Sequence, residues 1–496
     1  MSRSRKMIMN TLILTVTAFI MRGVGIVFQA WLTKKIGAAG IGLHQLIMSV
    51  SMLASTFAIS GIRFAATRLI SMELGSDNAA GVVAAMRRCL VYALCFGAAA
   101  FSLLWFGAEY IGSTWIGDTR TILSLRILSF SLPAFALSAV FAGYFTAVGR
   151  VVKSSAVSIA EQIVRIAAIV IALTISVNQD LETACAIIVA GGAVGEISSF
   201  LMLFTLYLLE WRGMPAPKSP PRGMTLRMFG IALPLALSAY ARSALSTLQH
   251  LLVPRGLRKS GASAERALAD YGIVHGMVLP ILMFPSSLFY AYAEMVVPEL
   301  TDAQMRGDEK RISDIVSASL RLCLLFAAGF MACMWGFGGE LGEAVYNNAD
   351  AGTYIKILAW LMPIMYLDSV TDGLLRGLGQ QMYVMAINIF DSVVSVILVY
   401  ILLPKYAVTG YILMIAFTEI VNFGLSIFRL RKITKIKFSF SVAIKAALSA
   451  FAAVNLSVLL TRLIGTNTPS VLLLVLRMLL CLAIYAALTL ILGCYT

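Results

Sequence analysis

The chain has 496 residues, of which 60% are hydrophobic and 13% charged, with a formal net charge of +15 and a mean hydropathy of +0.89. An average soluble domain carries roughly 25% charged residues, so this balance excludes an ordinary soluble protein and describes a polytopic membrane protein. The basic excess gives no nucleic-acid face either: the Lys and Arg sit in short loops between apolar segments, where charge sets topology.

About fourteen apolar stretches are long enough to cross a hydrocarbon core of roughly 30 Å, which predicts an all-α bundle of about 14 transmembrane helices. The start, MSRSRKMIMNTLILTVTAFIMR, has the basic opening of a signal peptide, but the apolar run continues past Phe28 without a small-residue cleavage site. It is read as a retained first helix. Helices one (about Lys6 to Leu32) and two (about Ile41 to Leu69) are joined by TKKIGAAG, and the second closes in GIRFAATRLISMELG. Helix three covers about Ala84 to Phe106, and helix four, about Ile122 to Val148, contains Pro133 and Gly143. Helix five (about Ser154 to Ile175) carries Glu161 and Arg165, and helix six (about Ala184 to Leu209) carries Glu196.

The segment WRGMPAPKSPPRGM, rich in proline and basic residues, cannot continue a helix and is read as a linker. Helices seven (about Met228 to Val253) and eight (about Tyr271 to Leu300) follow, the latter interrupted by Pro280 and Pro285. After the charged loop TDAQMRGDEKRISD come helix nine (about Ile315 to Phe337) and helix ten (about Tyr354 to Leu378), which holds Pro363, Asp368 and Asp372. Helix eleven (about Met382 to Leu403) holds Asp391, and helix twelve (about Thr409 to Leu430) holds Glu419. Helices thirteen (about Phe440 to Leu460) and fourteen (about Val471 to Leu492) carry Lys445 and Arg477. The expected organisation is an N-lobe over 1–211, a cytoplasmic linker over 212–227, a C-lobe over 228–435, and two added helices in 436–496. Lysine and arginine favour the side on which both termini lie, which predicts a cytoplasmic-membrane protein with both ends in the cytoplasm.

The second half repeats the first. An offset of 220 lays Arg242 on Arg22, Gln249 on Gln29 and Arg255 on Lys35; an offset of 230 lays Pro363 on Pro133, Gly373 on Gly143, Gly379 on Gly149 and Asp391 on Glu161. An offset of 223 lays Glu419 on Glu196. Six helices used twice enter the membrane from the same side, a parallel repeat about an axis along the membrane normal, and such halves rock around a site near the midplane.

Arg22 and Arg242 lie roughly 20 Å along their helices, too deep for easy snorkelling. Two arginines facing each other across a cleft would attract an anion, and a guanidinium suits phosphate through bidentate bonds; the bland alternative is that each pairs with a carboxylate of its own lobe, such as Glu161, Glu196, Asp391 or Glu419. Glu196, Asp391 and Glu419 are candidates for ion coupling, as are Asp368 and Asp372, one turn apart on one face with only Ser138 and Ala142 at the repeat positions. For Glu161, Arg165 one turn away makes a local ion pair the simpler account. Arg477 and Lys445 are candidates for contact with an anionic lipid head group, or for snorkelling to the nearer interface. The seven cysteines have no CxxC spacing and the three histidines no ligand spacing, so neither a disulfide framework nor a metal or cofactor site is implied. No catalytic motif is present either, and the chain is read as a non-enzyme.

The segment VPRGLRKSGASAERALADYGIVHGMVLPILMFPSSLFYAYAEMVVPEL, with FIMRGVGIVFQAWLTKKIG in helix one and GIRFAATRLISMELG, resembles the stage V sporulation protein B and polysaccharide-exporter branch of the multidrug/oligosaccharidyl-lipid/polysaccharide flippase superfamily. The resemblance implies two lobes that move an undecaprenyl-diphosphate-linked saccharide between leaflets by alternating access. It also implies diphosphate binding at the position of Arg22 and a groove for the polyprenyl tail along the two added helices. A second basic residue of helix one, typical of the related lipid II flippases, falls on an apolar position near Phe28, so the cargo need not be lipid II itself. The function expected is therefore a flippase for such a saccharide or a peptidoglycan precursor, reset by H+, Na+ or the membrane potential. The rivals are a multidrug-and-toxin cation antiporter on the same fold, a membrane glycosyltransferase or polymerase, and a non-transporting scaffold for cell-wall synthesis enzymes. The antiporter needs acidic residues in the first lobe's cavity, and helix one offers an arginine and no carboxylate; the transferase needs a catalytic acid on an extended outer loop, and the outer loops are short.

Overall fold

The computed structural model describes residues 3–76, 78–176, 180–211, 223–436, 440–463 and 471–494, and these are helical nearly throughout. Most of the expected linker, 212–222, lies outside the described residues. Helices one and two share α1 (Arg3–Ile59), whose two arms meet at Gly37 (φ 71°), and helix two continues as α2 (Ile62–Gly75). Then come α3 (Ala79–Tyr110), α4 (Ile122–Ser129), α5 (Ser131–Ala147), α6 (Val151–Ile175), α7 (Leu181–Trp211) and α8 (Met224–Lys259), which supply helices three to seven. Helix eight is broken into α9 (Ala264–Tyr271), a π-helical stretch (Gly272–Val278), α10 (Leu279–Met283) and α11 (Ser287–Met305). Helix nine is α12 (Glu309–Tyr346), helix ten is α13 (Ala349–Ala359) with α14 (Met362–Gly377), and helices eleven and twelve are the arms of α15 (Gln381–Ile433), which meet at Ala407. The added pair is α16 (Phe440–Leu463) and α17 (Val471–Ile491).

Among the described residues, nine helices are long and apolar enough to cross a membrane, or ten if the α4–α5 pair, bent by 44°, is one span. With two arms in each of α1 and α15, and helices eight and ten interrupted, this is consistent with the polytopic fold read from the sequence. The connections are closed by side-chain caps. Asn78, Ser263, Asp308 and Asn348 each accept a hydrogen bond from a first-turn backbone N–H of the helix that follows.

The internal repeat is written into the backbone. Helices four and ten break at the same place, and Pro133 and Pro363 sit in the first turn of α5 and α14, where a missing N–H costs least. Gly149 and Gly379 follow the ends of α5 and α14 in the left-handed conformation (φ 71° and 74°), which terminates both helices. In both halves a threonine hydroxyl ties the helix before the loop to this broken helix: Thr67 Oγ1 donates to the carbonyl of Gly143 (3.1 Å), and Thr301 Oγ1 to that of Gly377 (3.3 Å).

The chain forms two compact units, one holding Leu43–Leu251 with the start of the chain, the other Thr15–Gly42 with Leu252–Thr496. Most of helix seven packs with helices two to six, and most of helix one with helices eight to fourteen. Close approach is the physical reason. In the first unit Gly61 meets α8 so tightly that a Cβ would lie 2.5 Å from the Ala232 carbonyl oxygen, and Thr247 Oγ1 donates to the Ser49 carbonyl at 2.9 Å. In the second, Phe19 stacks on Phe284 (4.8 Å), Gln29 Nε2 donates to the Gly276 carbonyl (3.1 Å), and a Cβ on Gly272 would lie 2.3 Å from the Ala38 oxygen. There too α16 and α17 pack on α12, where Gly336 admits Val454 and Gly329 admits Tyr485, whose hydroxyl donates to the Leu325 carbonyl at 2.7 Å.

Candidate functional site

In the first unit, Glu161 and Arg165 occupy successive turns of α6, and α7 brings Glu196 alongside. Two glycines of α7 permit that approach: a Cβ at Gly191 would lie 2.4 Å from the Ile169 side chain, and one at Gly195 would lie 3.0 Å from that of Arg165. The Arg165 guanidinium pairs with Glu161 and reaches Glu196 at 3.1 Å, so one cation serves two half-buried carboxylates. The local pair expected for Glu161 is present. Glu196, a candidate for ion coupling, shares the same guanidinium.

The second unit arranges the repeated positions differently. Asp391 stands where Glu161 stands, Glu419 where Glu196 stands, and the place of Arg165 is taken by the buried Ser395. Among the described residues neither Asp391 nor Glu419 makes a hydrogen bond or ion pair. On α14, Asp368 and Asp372 are both buried, one turn apart. Asn422 Nδ2 donates to Asp368 Oδ2 at 3.2 Å, Ser426 Oγ to Asp372 Oδ1 at 3.2 Å, and Asn388 Nδ2 lies 3.5 Å from Asp372 Oδ2. Among the described residues the cation paired with these acids is Arg376, more than half exposed and 3.5 Å from Asp372. Among the described residues Asp368 Oδ1 and Asn422 Oδ1 are buried with no hydrogen-bond donor, and Asp372, Glu419 and Asp391 all lie near enough to repel a charged Asp368. Buried acceptors without donors are costly, and a proton or a small cation relieves them. Among the described residues no three His, Cys, Asp or Glu side chains are grouped to hold a metal ion. Asn388, Asn422 and Ser426 were not singled out in the sequence; their only signal was a polar residue in an otherwise apolar helix.

Arg22 and Arg242 are both exposed in mid-helix, Arg22 in the second unit and Arg242 in the first. The neighbours of Arg242 are fixed: Tyr240 donates to Ser60 Oγ at 2.6 Å, and Thr56 Oγ1 donates to Ser243 Oγ at 3.3 Å. Lys445 and Arg477 of the added helices, the candidates for a lipid head group or for snorkelling, each have a protein partner. Arg477 pairs with Glu340 of α12 at 3.0 Å, and Lys445 Nζ donates to the Leu492 carbonyl at 2.9 Å.

Residues 7–304 match the family model described as "Polysaccharide biosynthesis protein", and 260–401 match the one described as "MatE". The chain is 22% identical over 407 residues to "Stage V sporulation protein B" of Bacillus subtilis (strain 168), covering 80% of this chain and 77% of that protein. Among solved structures it resembles "Lipid II flippase MurJ, inward closed conformation" with a TM-score of 0.71 at 14% identity, covering 97% of this chain and 98% of that one. It resembles "Inward-facing conformation of a multidrug resistance MATE family transporter of the MOP superfamily" with a TM-score of 0.67 at 13% identity, covering 92% and 99%.

Proposed function

From the premise that the chain belongs to the polysaccharide biosynthesis protein family, in the exporter and flippase branch of the superfamily named above, we propose that it flips a polyprenyl-diphosphate-linked saccharide across the cytoplasmic membrane. The observation that carries this reading is an exposed arginine in the middle of helix one and another in the middle of helix seven, each in a helix long and apolar enough to cross a membrane. A charge at that depth points to function, and a guanidinium matches the two phosphates of such a lipid in charge and geometry. Arg22 and Arg242 bind the diphosphate in turn as the lobes rock, both termini face the cytoplasm, and the apolar flanks of α16 and α17 accept the polyprenyl tail. Asp368, with Asn422 beside it, takes up H+ or Na+ to reset the empty carrier, and Asp372, Asp391 and Glu419 raise the local demand for a cation.

A cation antiporter is the second reading. It is favoured by the match to the MatE model over 260–401, which contains Asp368, Asp372 and Asp391. Binding separates the two. Purified protein is titrated with a polyprenyl-diphosphate saccharide and with a lipophilic cation, wild type beside Arg22→Ala and Arg242→Ala. The flippase reading expects diphosphate binding weakened at least tenfold by either substitution, and drug binding that survives both without lipid binding replaces it with the antiporter.

A further inference from the structure

Helix two is not one rod. Between Ile59 and Ile62 two successive residues are left-handed, Ser60 (φ 45°) and Gly61 (φ 71°). For Gly61 the conformation is free of Cβ strain, and the close Ala232 carbonyl demands a glycine in any case. For Ser60 it is strained, since an L-residue with a Cβ adopts positive φ only where its surroundings enforce it.

The enforcing groups are two tyrosines from different helices. Ser60 is fully buried, Tyr240 of α8 donates to its Oγ (2.6 Å), and its Oγ lies 2.8 Å from the hydroxyl of Tyr92 on α3. Tyr92 in turn donates to the Ser60 carbonyl at 3.1 Å. With the Tyr92 proton so used, the Ser60 hydroxyl must donate to Tyr92, and three hydroxyls form one directed chain in which each donates once. Aromatic rings close around it: Phe57 lies against Tyr240 (5.6 Å), and Phe96 and Phe229 against Tyr92 (4.4 and 5.5 Å). The tie to α8 is repeated above it at Thr56 with Ser243 and at Ser49 with Thr247. Positions 240, 243 and 247 share one face of a helix, so α8 is stitched along helix two, and Arg242, turned about 100° from Ser243, is left exposed.

We propose that Ser60 is a positioning residue: a strained, hydroxyl-latched bend in helix two that holds α8, and with it Arg242, in a fixed register. Loss of the Tyr240 bond removes what offsets the strain, and helix two relaxes toward a straighter form while α8 comes free. The bend and its latch stand on the geometry alone; the part given to Arg242 rests on the flippase reading.

The experiment uses the full chain in nanodiscs, with Cys95, the exposed native cysteine among the described residues, replaced by Ser and spin labels at exposed Met48→Cys and Met72→Cys on either side of the bend. Continuous helix would separate these positions by about 36 Å along the axis, and the bend shortens that. Ser60→Ala and Tyr240→Phe are expected to add a longer component to the distance distribution. Ser60→Gly, free of the strain, keeps the short one. Distances unchanged in both Ser60→Ala and Tyr240→Phe overturn the latch. In the same samples, affinity for a polyprenyl-diphosphate lipid falls at least fivefold in Tyr240→Phe and in Ser60→Gly, since both release α8. A latch that opens with that affinity unchanged overturns the positioning of Arg242. A wild-type protein that binds no such lipid fails the flippase reading and, with it, the part given to Arg242, while leaving the distance result to decide the latch.

Discussion

The two halves of this chain place carboxylates at the same repeated positions and treat them in opposite ways. In the first unit, Arg165 stands between Glu161 and Glu196, and the two acids are held by one guanidinium. In the second, Ser395 replaces that arginine, Asp391 and Glu419 have no ion pair among the described residues, and Asp368 and Asp372 add two more carboxyls supported mainly by amides and a serine hydroxyl. A charge cluster that holds a bundle together is neutralised from within the protein. One that takes up an ion is left short of a cation, and that shortage distinguishes the second unit from the first.

The comparison breaks most visibly at Arg165. Arg165→Gln leaves two half-buried carboxylates uncompensated and is expected to destabilise the protein by about 2 kcal/mol, below the roughly 3–5 kcal/mol of a fully buried pair because Arg165 is itself about a third exposed. Thermal unfolding in detergent measures this, and adding Glu196→Gln should recover about half of it. If Arg165→Gln is silent, the first cluster is not structural and the contrast collapses.

A smaller and equal effect is expected where the halves agree. Gly149→Ala and Gly379→Ala each place a Cβ on a left-handed residue with open space around it, so each should cost about 1 kcal/mol through backbone strain alone. Unequal losses, again by thermal unfolding, count against equivalent turns.

The smallest effect on stability is expected at Asp368, the residue proposed to take up the ion. Asp368→Asn removes a buried charge and supplies an amide donor beside the unpaired Asn422 oxygen, so stability should change by no more than about 0.5 kcal/mol or rise. The rise in unfolding temperature that Na+ or a lowered pH gives the wild type should disappear with it. A variant that keeps the ionic response places the ion elsewhere.

Much of this fold is legible in the chain because its signals are local. Pro133 and Pro363 announce the same broken helix twice, and Gly149 and Gly379 end it in the same left-handed turn, as their shared offset suggests. The spacing of Glu161 and Arg165 likewise predicts their pair. What is not legible depends on helices remote in sequence. Nothing in ISG at 59–61 marks a bend, because the strain at Ser60 is held by tyrosines 32 and 180 residues away. Asn422 and Ser426 read as lone polar residues until α15 lays them against Asp368 and Asp372, 54 residues earlier. Arg477 reads as a snorkelling cation until α17 packs on α12 and meets Glu340. The division of helices one and seven between the compact units is set by glycine contacts and hydrogen bonds that the repeat does not reveal.

The central claim is transport of a diphosphate-linked lipid, and its most direct measurement is leaflet exchange in proteoliposomes. A labelled polyprenyl-diphosphate saccharide is placed in both leaflets, and a membrane-impermeant lectin or enzyme reads the fraction that reaches the outer face with time. Protein-dependent exchange is expected, falling at least tenfold in Arg22→Ala and in Arg242→Ala and unsupported by a monophosphate or neutral lipid. Exchange indifferent to both arginines, or no exchange above protein-free vesicles while the protein exports a lipophilic cation, contradicts the claim.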